Sequence, residues 1–140
     1  MTAPGLFVVD CTVSIGWLFD AQADDYTEAA LQSLAISFAV VPHWWGIEVL
    51  NVLLALERRE RLAPDRAIDA LRHLQRLPIH LHESRSSLFE VHALASRHKL
   101  TSYDAVYLDA ALATGLPLAT RDKSLRQAAE ESGVGVWHAD

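Results

Sequence analysis

The 140-residue sequence predicts an α/β fold: a single-domain α/β/α sandwich around a central, mainly parallel sheet. Three observations carry that prediction. Strand-length apolar runs at 6–9, 38–41 and 116–119 lack polar alternation, as expected of strands buried on both faces. Stretches with helical apolar spacing separate these runs, and strands that alternate with helices pair in parallel through crossovers. The length suits one domain, residues 1–140, large enough to bury about 70% of its unfolded surface.

The first strand, 6–9, ends at Asp10, and Thr12 is placed to cap a helix running to about residue 19. Asp24 and Asp25 open a second helix whose apolar stripe is Tyr26, Ala29, Ala30 and Leu34. Residues 38–41 form the next strand, stopped by Pro42, and a long helix covers about 44–60. Between 47 and 56 that helix is apolar on every side except at Glu48 and Asn51, which lie at i and i+3 on one face. Its cationic end (Arg58, Arg59, Arg61) suits the helix dipole. Pro64 starts a helix over 64–76, and 79–82 is a short strand. Ser87 and Glu90 make a capping-box pair for a helix reaching about residue 98. A further helix follows Thr101 with Asp104 in its first turn, then a strand at 116–119. A helix over 123–131 ends at Gly133, and 134–137 reads as a last strand.

Twelve basic residues against eighteen acidic ones give a net charge of −6, the wrong sign for a protein that coats nucleic acid. An enzyme touching nucleic acid over a small basic patch remains compatible with it. Cys11 is the only cysteine, so no internal disulfide forms, which fits a reducing compartment. The first residues lack the basic segment and long apolar run of a signal peptide. The apolar span 38–56 is interrupted by Pro42, His43, Gly46, Glu48 and Asn51, so it reads as core and not as a membrane helix. The expectation is a cytoplasmic protein with no membrane association.

In a parallel sheet the carboxyl ends of the strands share one edge, where ligands bind. Asp10 ends the first strand and Asp122 follows the strand at 116–119; Glu48 stands about one turn into the helix after the second strand. The helix carrying Asp104 runs back toward the start of the strand at 116–119, so its N-terminus points to the same edge. Taken singly, Asp104 and Asp122 look like helix-capping acids and Asp10 like a loop acid. Glu48, among apolar neighbours and with no Lys or Arg within a turn, has no such explanation. Gathered together the acids repel, at roughly 4 kcal/mol for two charges 4 Å apart at an effective dielectric of 20, and a divalent cation reverses that sign. Oxygen-only ligation suits Mg²⁺ or Mn²⁺ and the phosphate chemistry such ions serve.

Other constellations are weaker. His80 and His82 share a strand face without a third ligand, and packing or surface roles outweigh zinc on spacing alone. Cys11 has no nearby His or cation to activate it. Trp44 and Trp45 have flat faces that can stack bases, though aromatics at a helix start usually pack. Asp109 lies well round the helix from Asp104 and reads as a solvated or ion-paired acid. Arg121, Lys123 and Arg126, with Arg97, His98 and Lys99, can offset negative charge where a phosphate backbone approaches, or can be ordinary helix-end cations. No glycine-rich phosphate loop is present, so a nucleotide cofactor has no support.

The segments VVDCTVS, PHWWGIEVLNVLL, LTSYDAVYLDAAL and GLPLATRDKSLRQAA resemble the four signature segments of PIN-domain proteins, and among these the small VapC-type toxins of bacterial toxin–antitoxin pairs. The likeness runs from about Leu6 to Trp137, with motif order and spacing agreeing. It implies that Asp10, Glu48, Asp104 and Asp122 form the acidic catalytic and metal-binding quartet. Thr12 falls where the family has a Ser or Thr supporting the site, and Asn51 and Thr120 match further supporting positions. Cys11 departs from the usual small or hydroxyl residue. The implied activity is Mg²⁺- or Mn²⁺-dependent endonucleolytic cleavage of RNA, with Arg121 and Lys123 as substrate contacts. The implied partners are a VapB-type antitoxin and a second copy of the chain. Two rival readings of the same residues are a receiver-like signalling domain, disfavoured because no Lys follows Val136, and a non-catalytic interaction domain whose acids are caps.

Overall fold

The computed structural model describes residues 6–139. The sequence expectation about a leader peptide concerns in part residues 1–5, which lie outside that range. In chain order the elements are β1 (Phe7–Val9), α1 (Cys11–Leu18), a 3-10 turn (Asp20–Gln22), α2 (Asp25–Ser33), β2 (Ala39–Pro42), α3 (Trp44–Arg58), α4 (Pro64–Arg76), β3 (Ile79–His82), α5 (Leu88–His98), α6 (Ser102–Thr114), β4 (Leu118–Ala119) and α7 (Lys123–Ser132).

The sheet has the order β3-β2-β1-β4, and all three pairings are parallel. One row of the register runs His80, Val40, Val8, Leu118. Side chains alternate across a strand, so the sheet presents two apolar faces. Val8, Val40 and Leu118 pack with Tyr107, Leu108 and Ala111 of α6 and with Leu125, Ala128 and Ala129 of α7. Phe7, Val9, Ala39, Val41 and Ala119 pack with Val13 and Trp17 of α1 and Ala30 of α2. A third cluster, Val49, Leu53, Ala70 and Leu74, holds α3 against α4.

From β1 the chain winds outward through β2 and β3, then returns to add β4 on the other side of β1. The strand order therefore reverses between β1 and β4, and the crevice outside their carboxyl ends is the switch point at which such sheets take ligands. A receiver-like domain has its second and third strands on either side of the first. Here β2 separates β1 from β3, so the receiver-like alternative does not match the topology.

Several boundaries differ from the sequence expectations. Asp10, not Thr12, caps α1: its Oδ1 accepts from the Val13 amide, and Thr12 sits inside the first turn. Pro42 is the last residue of β2 and not the residue beyond it. The long helix ends at Arg58, and Glu60 takes a left-handed conformation (φ 57°) that no helix continues through. The strand expected at 116–119 is only Leu118–Ala119, since Pro117 has no N–H to give to a ladder. The strand expected at 134–137 is a single parallel bridge between Leu118 and Val136. Gly133 and Gly135, at φ 86° and 79°, break the extended backbone on either side of Val134.

Candidate active site

Asp10 lies at the carboxyl end of β1 and is 3% exposed. Both of its oxygens are held. Oδ1 accepts from the Thr12 hydroxyl at 2.6 Å and from the Val13 amide at 3.2 Å, and Oδ2 accepts from the Thr120 hydroxyl at the end of β4. The two threonines are themselves anchored: Thr12 Oγ1 accepts from the Arg121 amide at 2.9 Å, and Thr120 Oγ1 accepts from the Asp122 amide at 3.0 Å. Burial pushes the Asp10 carboxyl up to about 6, against the pull of the three hydrogen bonds and with a smaller upward push from Asp104.

Glu48 reaches the same edge from α3. It is half-buried, and its Oε1 accepts from the Tyr107 hydroxyl at 2.6 Å. Its carboxyl is raised by burial first; Tyr107 opposes that shift, while Asp104 and Asp10 add to it. The first turn of α3 is tied to α1 by Trp45 Nε1, which donates to Ser14 Oγ at 2.8 Å, and Ser14 Oγ donates in turn to the Asp10 carbonyl at 2.8 Å. Tyr107 and Ser14 were not singled out from the sequence as site residues, and Trp45 was weighed only as a base-stacking or packing aromatic. Tyr107 carried a signal: it stands at i+3 from Asp104, and a tyrosine in a buried helical face must find a partner for its hydroxyl.

Asp104 is the third helical residue of α6. Its amide donates to the capping Thr101 hydroxyl at 3.1 Å. In α2 and α5 the residue at the equivalent position returns a side-chain bond to the cap, completing a capping box; α6 shows only the first half. Burial raises the Asp104 carboxyl, repulsion from Asp122 adds to the rise, and Thr101 opposes it. Asp122 caps α7, its Oδ1 accepting from the Leu125 amide at 2.8 Å.

Asp10, Glu48 and Asp104 thus feel other acids across the switch point, and every charged neighbour that shifts one of them is another acid. Among the described residues no three His, Cys, Asp or Glu side chains are placed to hold a metal ion directly. Carboxylates without a cation between them repel, so this spread is the arrangement their charges favour. The donor set is all oxygen, and Oε2 of Glu48 and Oδ2 of Asp122 accept none of the hydrogen bonds found. Such a set fits a hard cation of the Mg²⁺ kind, which keeps several waters and takes only one or two carboxylates directly. Cys11 adds nothing nucleophilic, because burial, then Glu48 and Asp10, push its thiol up to about 12.

The supporting residues divide. Thr12 and Thr120 bond Asp10 directly, whereas Asn51 is exposed on the outward face of α3 and bonds none of the acids. The Arg121 side chain is engaged in contacts within the protein. Its guanidinium donates to the Thr12 carbonyl through Nε at 2.9 Å, to the Gln22 carbonyl at 2.8 Å and to Asp24 at 3.3 Å. It clamps the α1–α2 connection and stays partly exposed. Arg126 is likewise engaged, donating to the Thr120 carbonyl at 2.7 Å and lying 4.8 Å from the centre of the Tyr26 ring. Lys123 is exposed and takes part in none of the ion pairs found among the described residues. Asp109 is neither ion-paired nor free: it accepts from Ser84 at 2.8 Å and Ser86 at 2.6 Å, fastening the loop before α5. His80 stacks on Phe38, and His98 pairs with Glu131 at 3.2 Å. A separate cavity of about 560 Å³ lies among α3, α4 and β3; its lining is mainly apolar (Trp45, Val49, Leu74, Ile79) and includes none of the four acids.

Residues 7–131 match the family model described as PIN domain. Among solved structures, the crystal structure of PAE2754 from Pyrobaculum aerophilum is similar to this chain, with a TM-score of 0.70 and 22% sequence identity, covering 91% of this chain and 85% of that one. At that identity the likeness shows the fold alone. No curated protein matches the chain in sequence. No helix among the described residues is long and apolar enough to cross a membrane.

Proposed function

This chain belongs to the PIN domain family, and on that premise we propose that it is a Mg²⁺- or Mn²⁺-dependent endoribonuclease whose single PIN-like unit acts as the toxin of a toxin–antitoxin pair. PIN domains are typically metal-dependent nucleases that act on RNA. The observation that supports the reading is that Asp10, Glu48 and Asp104, carried by separate elements, are each pushed up by burial and by another acid, Asp122 among them, with no cation among the charged groups that shift them.

When bound, a divalent cation polarises the phosphoryl oxygen and lowers the pKa of an attacking water. The chain's residues supply the rest. Asp10 is the fixed anchor, both oxygens pinned by groups on α1 and β4. Tyr107 fixes one oxygen of Glu48, and the other accepts none of the hydrogen bonds found. Asp104 presents its carboxylate from the first turn of α6 without closing a capping box, and Asp122 sets the start of α7 with one oxygen. Lys123, exposed beside Asp122, is the basic group we assign to the phosphate backbone.

The toxin role, the VapB-type antitoxin and the homodimer rest on the resemblance of the four sequence segments to VapC-type toxins. They are supported by an exposed apolar stripe on α3, with Ile47, Leu50 and Leu54 each at least 40% exposed, a surface of the kind partners cover. The purified chain is expected to cut RNA with Mg²⁺ or Mn²⁺ and to stop in EDTA, and its induction in a bacterial host is expected to arrest growth. No cutting under either ion defeats the nuclease reading, and cutting without growth arrest defeats only the toxin role.

A further inference from the structure

Two exposed aromatic rings stand at the rim of the acid cluster. Trp44, the first residue of α3, and Tyr103, the residue before Asp104, stack with ring centres 5.3 Å apart and planes 20° from parallel. Trp44 lies one helical turn before Glu48, on the same side of α3. The two side chains are 39% and 52% exposed. Trp45 behaves differently: its indole N–H is spent on Ser14, and its ring packs into the core clusters. Packing therefore accounts for Trp45 and not for its neighbour.

We propose that Trp44 and Tyr103 form a stacking platform for an unpaired nucleobase of the RNA strand that lies across the four acids. This rests on the nuclease reading and adds to it how the strand is held. Every base has a flat face, so aromatic stacking grips single strands without demanding a sequence. Each ring already holds the other, so little side-chain freedom remains to be lost when a base extends the stack. The need is also physical. The net charge is −6, the site itself is acidic, and the guanidinium groups of Arg121 and Arg126 donate to backbone carbonyls of the protein. A polyanion approaching such an edge gains little from charge, and stacking is a source of affinity that acidic surroundings do not weaken. Tyr103 adjoins Asp104 in sequence and Trp44 is a turn from Glu48, so a base on the platform belongs to a nucleotide next to the phosphate at the acids.

The test is binding of a short, labelled single-stranded RNA followed by fluorescence anisotropy in EDTA, where nothing is cut. Tyr103→Leu and Trp44→Leu, which keep apolar bulk but lose the aromatic face, are expected to weaken binding roughly 5- to 100-fold, and Tyr103→Phe to hold it within about twofold. Scanning one abasic position along the RNA is expected to find a site whose loss weakens the parent protein by a similar factor but no longer matters in Tyr103→Leu. Circular dichroism melts confirm that each variant is folded. If the leucine and phenylalanine variants bind RNA as the parent does, the platform is wrong, and the rings belong to an apolar protein interface continuing the α3 stripe. If the parent cuts RNA with Mg²⁺ or Mn²⁺ yet binds none in EDTA, the platform falls and the nuclease reading stands; if it neither cuts nor binds, both fall.

Discussion

The Tyr107 hydroxyl donates to Glu48 Oε1 at 2.6 Å, joining the buried face of α6 to the acid on α3. The ring of Tyr107 is 1% exposed and belongs to the main core cluster, so the oxygen at its tip is delivered by packing. Asp104 lies one turn earlier on the same helix. One element thus carries one acid and orients another.

Tyr107→Phe removes that oxygen and keeps the ring. We expect Mn²⁺ affinity, measured by calorimetry, to fall roughly 10- to 100-fold, as when an orienting partner of a metal ligand is lost. Folding stability should change by about 1 kcal/mol or less, because half-buried Glu48 can recover the bond from water. Unchanged Mn²⁺ affinity in a folded variant removes the orienting role.

Stability without metal should depend on pH in an unusual direction. Folding raises the Asp10 carboxyl from 3.8 to about 6, so between those values the native state binds more protons than the unfolded chain. Stability is then greatest below the unfolded value and is lost as pH rises through about 6, by on the order of 3 kcal/mol from this group. Glu48 and Asp104 shift the same way; the opposite shifts of Asp24 and Glu131 occur on exposed groups. Urea midpoints in EDTA should therefore be higher at pH 5 than at pH 7, and saturating Mg²⁺ should narrow or reverse the difference. A midpoint in EDTA that rises from pH 5 to pH 7 contradicts the buried, cation-less Asp10 described here.

The contact between α1 and α2 sets how firmly the Asp10 end of β1 is held. A Cβ on Gly16 would stand 2.6 Å from Thr27 Cγ2 and 2.7 Å from Thr27 Cβ. Thr27 is fully buried, its carbonyl bonded by Trp17 Nε1 at 2.9 Å, and has nowhere to go. Gly16→Ala should cost about 1–3 kcal/mol by overpacking, read from chemical denaturation. A neutral effect means that α1 and α2 can separate without loss.

Arg121 is engaged within the fold, whereas exposed Lys123 is the cation proposed to meet substrate. Arg121→Lys keeps the charge but cannot reach the Thr12 and Gln22 carbonyls together, so it should lower the melting temperature and not be conservative. Lys123→Ala should leave the melting temperature unchanged and reduce the salt dependence of RNA binding by about one phosphate contact. The reverse pattern exchanges their roles.

Much of this arrangement was legible from sequence because local chemistry and tertiary structure agree. Pro64 at the first helical position marked the start of α4, and the Ser87–Glu90 box marked α5. Buried strands without alternation led to the parallel sheet, and the parallel sheet brought Asp10 and Asp122 to one edge. What was not legible depended on contacts between distant segments. The Gly133 and Gly135 backbone reduces a plausible final strand to one bridge. Arg121 looked available because the carbonyls that occupy it lie on α1 and the following turn, about a hundred residues away in sequence. Asn51 shares a face with Glu48 by spacing, yet Glu48 is half-buried and Asn51 exposed, because it is Val49 and Leu53 that α3 turns into the core. Asp122, read singly as a cap, and Asp10, read singly as a loop acid, both cap helices, and each also adds to the upward shift of Asp104 or is shifted by it, so capping and a place at the acidic edge are compatible.

Asp104→Asn separates the two directly. The cap bond at this position uses the backbone amide, which asparagine retains, while the charge toward the other acids is removed. Measured on purified protein with single-stranded RNA and Mg²⁺, the variant should lose cleavage while its melting temperature in EDTA stays equal to the parent's or rises, since one repulsion has gone. Undiminished Mg²⁺-dependent cleavage by folded Asp104→Asn would contradict the assignment of this acidic edge as the catalytic centre.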